Sequence, residues 1–135
     1  MGKTTYRLFI VEDHPTMREV YTSYFEYAGG FSVCGTADSA EEALVKLADI
    51  APEISPHILL VDISLPGMNG LQLVERLSAE YPALPAVVVS GHEDSHYRSA
   101  ALRAGAADFV SKGSAAVILE TVRKVLDGKG EGIRD

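Results

Sequence analysis

The feature that most constrains this chain is a five-fold alternation between short apolar runs and helical patterns. The runs are Leu8-Phe9-Ile10-Val11, Phe31 to Ala37, Ile58-Leu59-Leu60-Val61, Ala86-Val87-Val88-Val89 and a last one centred on Phe109-Val110. After each, apolar residues recur at the spacing that puts them on one helix face. Met17, Val20, Tyr21, Tyr24, Phe25 and Ala28 follow the first run, and Ala43, Leu44, Leu47 and Ala48 the second. Leu73, Val74 and Leu77 follow the third, and Tyr97, Ala100, Ala101 and Ala104 the fourth. Val117, Ile118, Val122, Val125 and Leu126 follow the fifth. The third run is apolar throughout, as a central parallel strand covered on both faces must be.

The punctuation agrees with this division. Pro15 suits the first turn of a helix, where its missing N–H costs nothing. Ser39 with Glu42 three residues later reads as a capping box. Ala51 to Pro56 reads as a loop, and Pro66-Gly67 as a turn preset by proline and completed by glycine. Five β-α units in 135 residues predict one α/β domain: a doubly wound, five-stranded parallel sheet with helices on both faces. The expected domain runs over 6–127. Residues 128–135, with Gly128, Gly130 and Gly132, have the composition of a tail or linker.

Composition removes several function classes. A formal charge of −7 argues against binding nucleic acid directly, which requires basic surface to neutralise phosphates. No apolar run approaches the roughly 20 residues that span a bilayer, so no membrane contact is expected. Cys34 is the sole cysteine and rules out an internal disulfide. These features fit a cytoplasmic, reducing compartment. Cys34 itself reads as a small buried apolar residue.

Doubly wound sheets place their sites at the carboxyl ends of the strands. Glu12 and Asp13 follow the first run, Asp62 the third, Ser90 and Gly91 the fourth, and Ser111 and Lys112 the fifth. Three acids, a hydroxyl and a lysine thus end four strands on one edge. If the first and third strands are neighbours, the acids converge and need a cation. An oxygen-only ligand set favours a hard ion, and Mg²⁺ is the expected one, since it keeps waters that a phosphate oxygen can replace. A carboxylate is also a competent nucleophile toward phosphorus. The charge on a transferred phosphoryl group is met by Mg²⁺ and an ammonium group such as Lys112, with Ser90 as a hydrogen-bond donor.

Four segments carry a family resemblance: Val11-Glu12-Asp13-His14-Pro15; Leu60 to Gly70, with Asp62 inside it; Val89-Ser90-Gly91; and Ala104 to Lys112. In these the chain resembles the receiver domains of two-component response regulators, over about Tyr6 to Leu126. The resemblance implies a flavodoxin-like (βα)5 fold with strand order 2-1-3-4-5. It implies Asp62 as phosphoacceptor, Asp13 as a direct Mg²⁺ ligand, Glu12 as one acting through water, and the Ser64 backbone carbonyl as a further ligand. Ser90 matches the switch hydroxyl, Lys112 the lysine that contacts the phosphoryl group, and Phe109 the switch aromatic. On this pattern a phosphoryl group draws Ser90 toward it, and Phe109 turns inward to fill the vacated space, burying a face that was partly wet.

The implied partner is a sensor histidine kinase or phosphotransfer protein. The chain would catalyse its own phosphorylation and slow dephosphorylation but turn over no metabolite. A homodimer formed on phosphorylation, through helix four, strand five and helix five, is a further implication. Where the family usually has proline after the lysine, this chain has Gly113, so that turn is expected to differ. Lys112-Gly113-Ser114 and Ser64 to Gly70 resemble receivers that precede a LuxR-type helix-turn-helix output, which implies control of transcription through a domain or partner outside this sequence.

Two rival readings remain, a pseudo-receiver and a metal hydrolase of either the zinc or the aspartyl-phosphate type. A phosphate-independent pseudo-receiver would dock a partner and use no phosphate, but the complete residue set argues against it. His92-Glu93-Asp94-Ser95-His96 matches the H-E-x-x-H pattern of zinc hydrolases. That pattern works inside a helix, whereas here it starts two residues after a strand and has no evident third ligand. An aspartyl-phosphate phosphatase would want a second acid two residues after the nucleophile, where this chain has Ser64.

Overall fold

The structure is a computed structural model that describes residues 5–91, 95–128 and 130. Five strands, β1 (Tyr6–Val11), β2 (Phe31–Ala37), β3 (Ile58–Asp62), β4 (Ala86–Ser90) and β5 (Asp108–Ser111), form one sheet. Five helices alternate with them: α1 (Pro15–Ala28), α2 (Ala40–Asp49), α3 (Gly70–Glu80), α4 (Ser95–Ala104) and α5 (Ala115–Leu126). The loop expected over Ala51 to Pro56 contains a single 3-10 turn, Pro52–Ile54. The strand order is β2-β1-β3-β4-β5 and every pairing is parallel, so β1 and β3 are neighbours.

Successive strand residues face opposite sides of a sheet, and here each side has its own core. Phe9, Val11, Leu59, Val61 and Val88 pack with Ala43, Leu47, Leu73, Leu77 and Ala101 of α2, α3 and α4. Leu8, Ile10, Ile58, Leu60, Val87 and Val89 pack with Tyr21, Phe25, Ile118 and Val122 of α1 and α5. All five residues of β3 and of β4 are buried, as helices on both faces require.

The β1–β2 register jumps by one residue: Leu8 pairs with Val33, but Phe9 pairs with Gly35, leaving Cys34 as the extra residue of a bulge. Gly35 belongs there because a Cβ would sit 2.8 Å from a ring carbon of Phe9. Cys34 is only partly buried, not the core residue expected of it.

Two local expectations need correction. Val20 is 44% exposed, and Ala28 and Ala48 are exposed as well, so α1 buries only Tyr21 and Phe25 fully. The Ser39–Glu42 capping box is half formed. Ser39 Oγ accepts the Glu42 N–H at 3.1 Å, but the Glu42 carboxylate reaches one residue further back and accepts the Asp38 N–H at 2.9 Å. A complete box caps α3 instead, with Asn69 accepting from Gln72 N–H at 2.9 Å and Gln72 from Asn69 N–H at 3.0 Å.

Candidate functional site

Parallel strands all deliver their last residue to the same edge, and the β1–β3 pairing brings the acids to one point. Ligand oxygens of Glu12, Asp13 and Asp62 lie within 4.8 Å of one another. Glu12 and Asp62 are buried, while Asp13 faces solvent. From β5 the Lys112 ammonium reaches across. Its Nζ donates to Asp62 Oδ2 at 2.9 Å and lies 3.1 Å from Glu12 Oε1, an ion pair without hydrogen-bond geometry. Lys112 is itself placed by its backbone N–H, which donates to the Ser90 carbonyl at 2.9 Å.

The acids sit in a frame of backbone donors. The His14 N–H donates to Glu12 Oε2 at 3.1 Å, and the Ser64 N–H to Asp62 Oδ1 at 3.0 Å. The Arg18 guanidinium donates to the Glu12 carbonyl at 2.9 Å and fixes the turn from β1 into α1. Burial pushes the Glu12 carboxyl up to about 7; the His14 N–H opposes the shift and the neighbouring Asp62 charge adds to it. Burial by itself would lower the Lys112 ammonium. Its hydrogen bond to Asp62 and the charges of Asp62 and Glu12 outweigh that and hold it above its ordinary value.

Gly70 lets the β3–α3 loop close against the site. Its N–H donates to the Ile63 carbonyl at 3.1 Å, and a Cβ there would stand 2.3 Å from the Asp62 carbonyl oxygen. Across the loop, the Met68 N–H donates to the Glu41 carboxylate of α2 at 3.1 Å. At Gly113 the turn differs from an X-Pro turn in a specific way: its N–H, which proline would lack, donates to Ser111 Oγ at 3.3 Å.

Of the residues singled out in the sequence, Glu12, Asp13, Asp62 and Lys112 are therefore in one cluster. Ser90 ends β4 fully buried, and Ser64 is exposed beside Asp62. Phe109 stands in the buried one of the two arrangements expected of a switch aromatic. It is 4% exposed and packed with Val88, Ala101 and Ala106, so its ring is already inside and has no wet face to bury. The Arg98 guanidinium of α4 covers it, 5.3 Å from the ring centroid, and lies 3.7 Å from the buried Asp108 carboxylate. Sequence reasoning missed Arg98, and an acid adjoining the aromatic was the available signal. Within the H-E-x-x-H segment, His92, Glu93 and Asp94 lie outside the described residues, and His96 is exposed in the first turn of α4. Among the described residues no helix is long and apolar enough to cross a membrane.

A five-stranded parallel sheet in the order 2-1-3-4-5 with an acid–lysine cluster at its carboxyl edge defines a receiver-like α/β domain. Residues 8–123 match the family described as response regulator receiver domain, and the chain belongs to that family. It is 33% identical to response regulator GacA of Pseudomonas viridiflava over 124 residues, covering 91% of this chain and 56% of GacA. It is 36% identical to a protein-glutamate methylesterase/protein-glutamine glutaminase of Bacillus licheniformis, covering 89% of this chain and 33% of that protein. The chain thus spans about half the length, or less, of these relatives. A LuxR-family two-component response regulator from Aurantimonas sp. SI85-9A1 superposes with a TM-score of 0.86 at 29% identity, covering 94% of this chain and 89% of that one.

Proposed function

We propose that this domain accepts a phosphoryl group on Asp62 from a phosphohistidine of a sensor histidine kinase or phosphotransfer protein, and so controls an output. The observation that carries this reading is the Lys112 ammonium at 2.9 Å from Asp62 in a cluster with two further acids. An Asp62 carboxylate oxygen attacks phosphorus. The new O–P bond forms as the N–P bond to the donor imidazole breaks, and the bonding pair leaves on that nitrogen, which takes up a proton. Lys112 stabilises the charge on the phosphoryl oxygens, and the Ser90 hydroxyl donates to one of them.

Asp13 and Asp62 would hold Mg²⁺ directly and Glu12 through water, and the Ser64 carbonyl would complete the protein's share of ligands. The donor set is all oxygen, as a hard cation requires, and Glu12 presents a buried oxygen, Oε1, that makes no hydrogen bond among the described residues. When bound, Mg²⁺ neutralises charge on the transferred group and on the acids.

In this arrangement Phe109 is already inside, and the phosphoryl group need not draw a wet ring in. It acts through Ser90 and Lys112 on the packing around the ring, and Arg98 carries that change to α4. A shift in preference of a few kcal/mol between two arrangements is enough to invert their populations. The output is transcription control through a domain or partner beyond this sequence, in keeping with the LuxR-family neighbour. Self-association through α4, β5 and α5 is part of the same reading.

The test uses acetyl phosphate with Mg²⁺ and intact-mass measurement. One phosphoryl adduct is expected on the wild type and none on Asp62→Asn, whose amide is not a competent nucleophile. Labelling that survives in Asp62→Asn moves the acceptor elsewhere.

A further inference from the structure

Tyr21 is a buried group that phosphoryl transfer, as described, leaves without a task. The residue is 3% exposed, and its hydroxyl has no hydrogen-bond partner among the described residues. Such an atom is costly to bury and calls for an explanation. Only one other buried side-chain atom shares this condition among the described residues, and it is Glu12 Oε1.

The two belong to one place in the fold. Helix α1 starts at Pro15, immediately after Glu12-Asp13-His14, so its N-terminus lies at the edge of the sheet that carries the acids. Helical side chains lean toward the N-terminus of their helix. From the second turn of α1 the Tyr21 phenol therefore rises toward the acid cluster. Its electrostatic environment agrees: burial raises the phenol above its ordinary value, and the charges of Lys112, Glu12 and Asp62 all act on it.

Lys112 now serves two carboxylates at once, Asp62 at 2.9 Å and Glu12 at 3.1 Å. A phosphoryl group on Asp62 adds about two negative charges and draws the ammonium toward itself. Glu12 Oε1 then loses the ammonium beside it while it remains buried. We propose that Tyr21 is a positioning residue whose hydroxyl takes over Glu12 Oε1 at that moment, donating a hydrogen bond directly or through one buried water. Glu12 thereby keeps its place beside the metal site in the phosphorylated state. This inference rests on the reading of Asp62 and Lys112 above.

The experiment compares wild type with Tyr21→Phe, which removes only the hydroxyl. Binding of beryllofluoride with Mg²⁺, a mimic of the phosphorylated state, is followed by calorimetry. Urea unfolding is measured in parallel without metal. Tyr21→Phe is expected to bind beryllofluoride about tenfold more weakly, the worth of a hydrogen bond to a charged acceptor. Its metal-free unfolding midpoint should be unchanged or higher, since it no longer buries an unpartnered hydroxyl. A merely structural hydroxyl would lower both together, and that result overturns the proposal. Equal beryllofluoride affinity in the two proteins also overturns it, and leaves the Asp62 reading standing. No binding by the wild type overturns the Asp62 reading and this inference with it.

Discussion

Replacing Gly70 by alanine tests how the phosphoacceptor strand is joined to α3. An alanine Cβ would stand 2.3 Å from the Asp62 carbonyl oxygen, 2.7 Å from Ile63 Cα and 3.0 Å from the Asp62 carbonyl carbon. The first is about 1 Å short of the 3.4 Å at which ordinary contact begins. All three neighbours are backbone atoms, so no side chain can rotate away. The first turn of α3 has to move, and the hydrogen bond from Gly70 N–H to the Ile63 carbonyl, 3.1 Å, goes with it. Overpacking of this kind costs about 1–3 kcal/mol, and the lost hydrogen bond about 1 more. Lower entropy of the unfolded chain returns about 0.4–1 kcal/mol. The net expectation is a loss of about 1–3.5 kcal/mol, or roughly 3–14 °C in Tm for a domain of this size. Urea unfolding of Gly70→Ala against Gly91→Ala isolates the effect, because a Cβ at Gly91 meets nothing within 4 Å and should change stability by less than about 0.5 kcal/mol. Equal stability of the two variants would refute the close-approach argument.

Two further outcomes follow from packing and from protonation. Phe109→Ala should cost about 3–5 kcal/mol in urea unfolding, the range for emptying a buried aromatic site; a loss below about 1 kcal/mol would mean the ring lies outside. The Arg7 N–H donates to His57 Nδ1 at 2.8 Å, so the ring must stay unprotonated there, and burial, then the Arg7 charge, lower its affinity for a proton. The unfolded chain therefore protonates first, and this contribution to stability is present above about pH 6.5 and lost as pH falls below it. Glu12, raised to about 7, works with the opposite sign and adds stability as pH falls from about 7 toward 4.5, so the wild type alone will not show the His57 effect. Subtracting the metal-free pH profile of His57→Asn removes the shared Glu12 part. A difference that does not change between pH 7.5 and 5.5 would count against the tautomer.

The sheet was legible because its signals are local. Ile58 to Val61 are apolar at every position, and all of them are buried. The acid cluster was legible because parallel strands end on a common edge, so strand-end identity nearly fixes the site. What failed depends on distance or on angle. Val20 and Tyr21 are adjacent and both apolar, but about 100° apart on the helix, and spacing could not say that Tyr21 alone faces the sheet. Glu42 had two N–H groups within reach and took that of Asp38, a choice of one residue that no pattern encodes. The Asn69–Gln72 box begins two residues after the Pro66-Gly67 turn, and its spacing was not read as a cap. Arg98, which covers Phe109, lies one element earlier in α4, and the strand pattern around Phe109 carries no trace of it.

The bulge at Cys34 has a consequence for the molecule among its neighbours. In the order β2-β1-β3-β4-β5 the two outer strands each leave one side of their backbone unpaired within the sheet. A long, flat, regular edge is a template on which another chain can add a strand and begin to aggregate. β2 is the longer of the two, with seven residues, and the register jump between Leu8 and Phe9 interrupts its regularity near the middle. A bulge bends a strand and increases its local twist, which spoils the fit of an incoming partner. β5 meets the same hazard by brevity, offering only four residues. Both borders of the sheet are thereby poor seeds for uncontrolled strand addition, which favours solubility at high concentration.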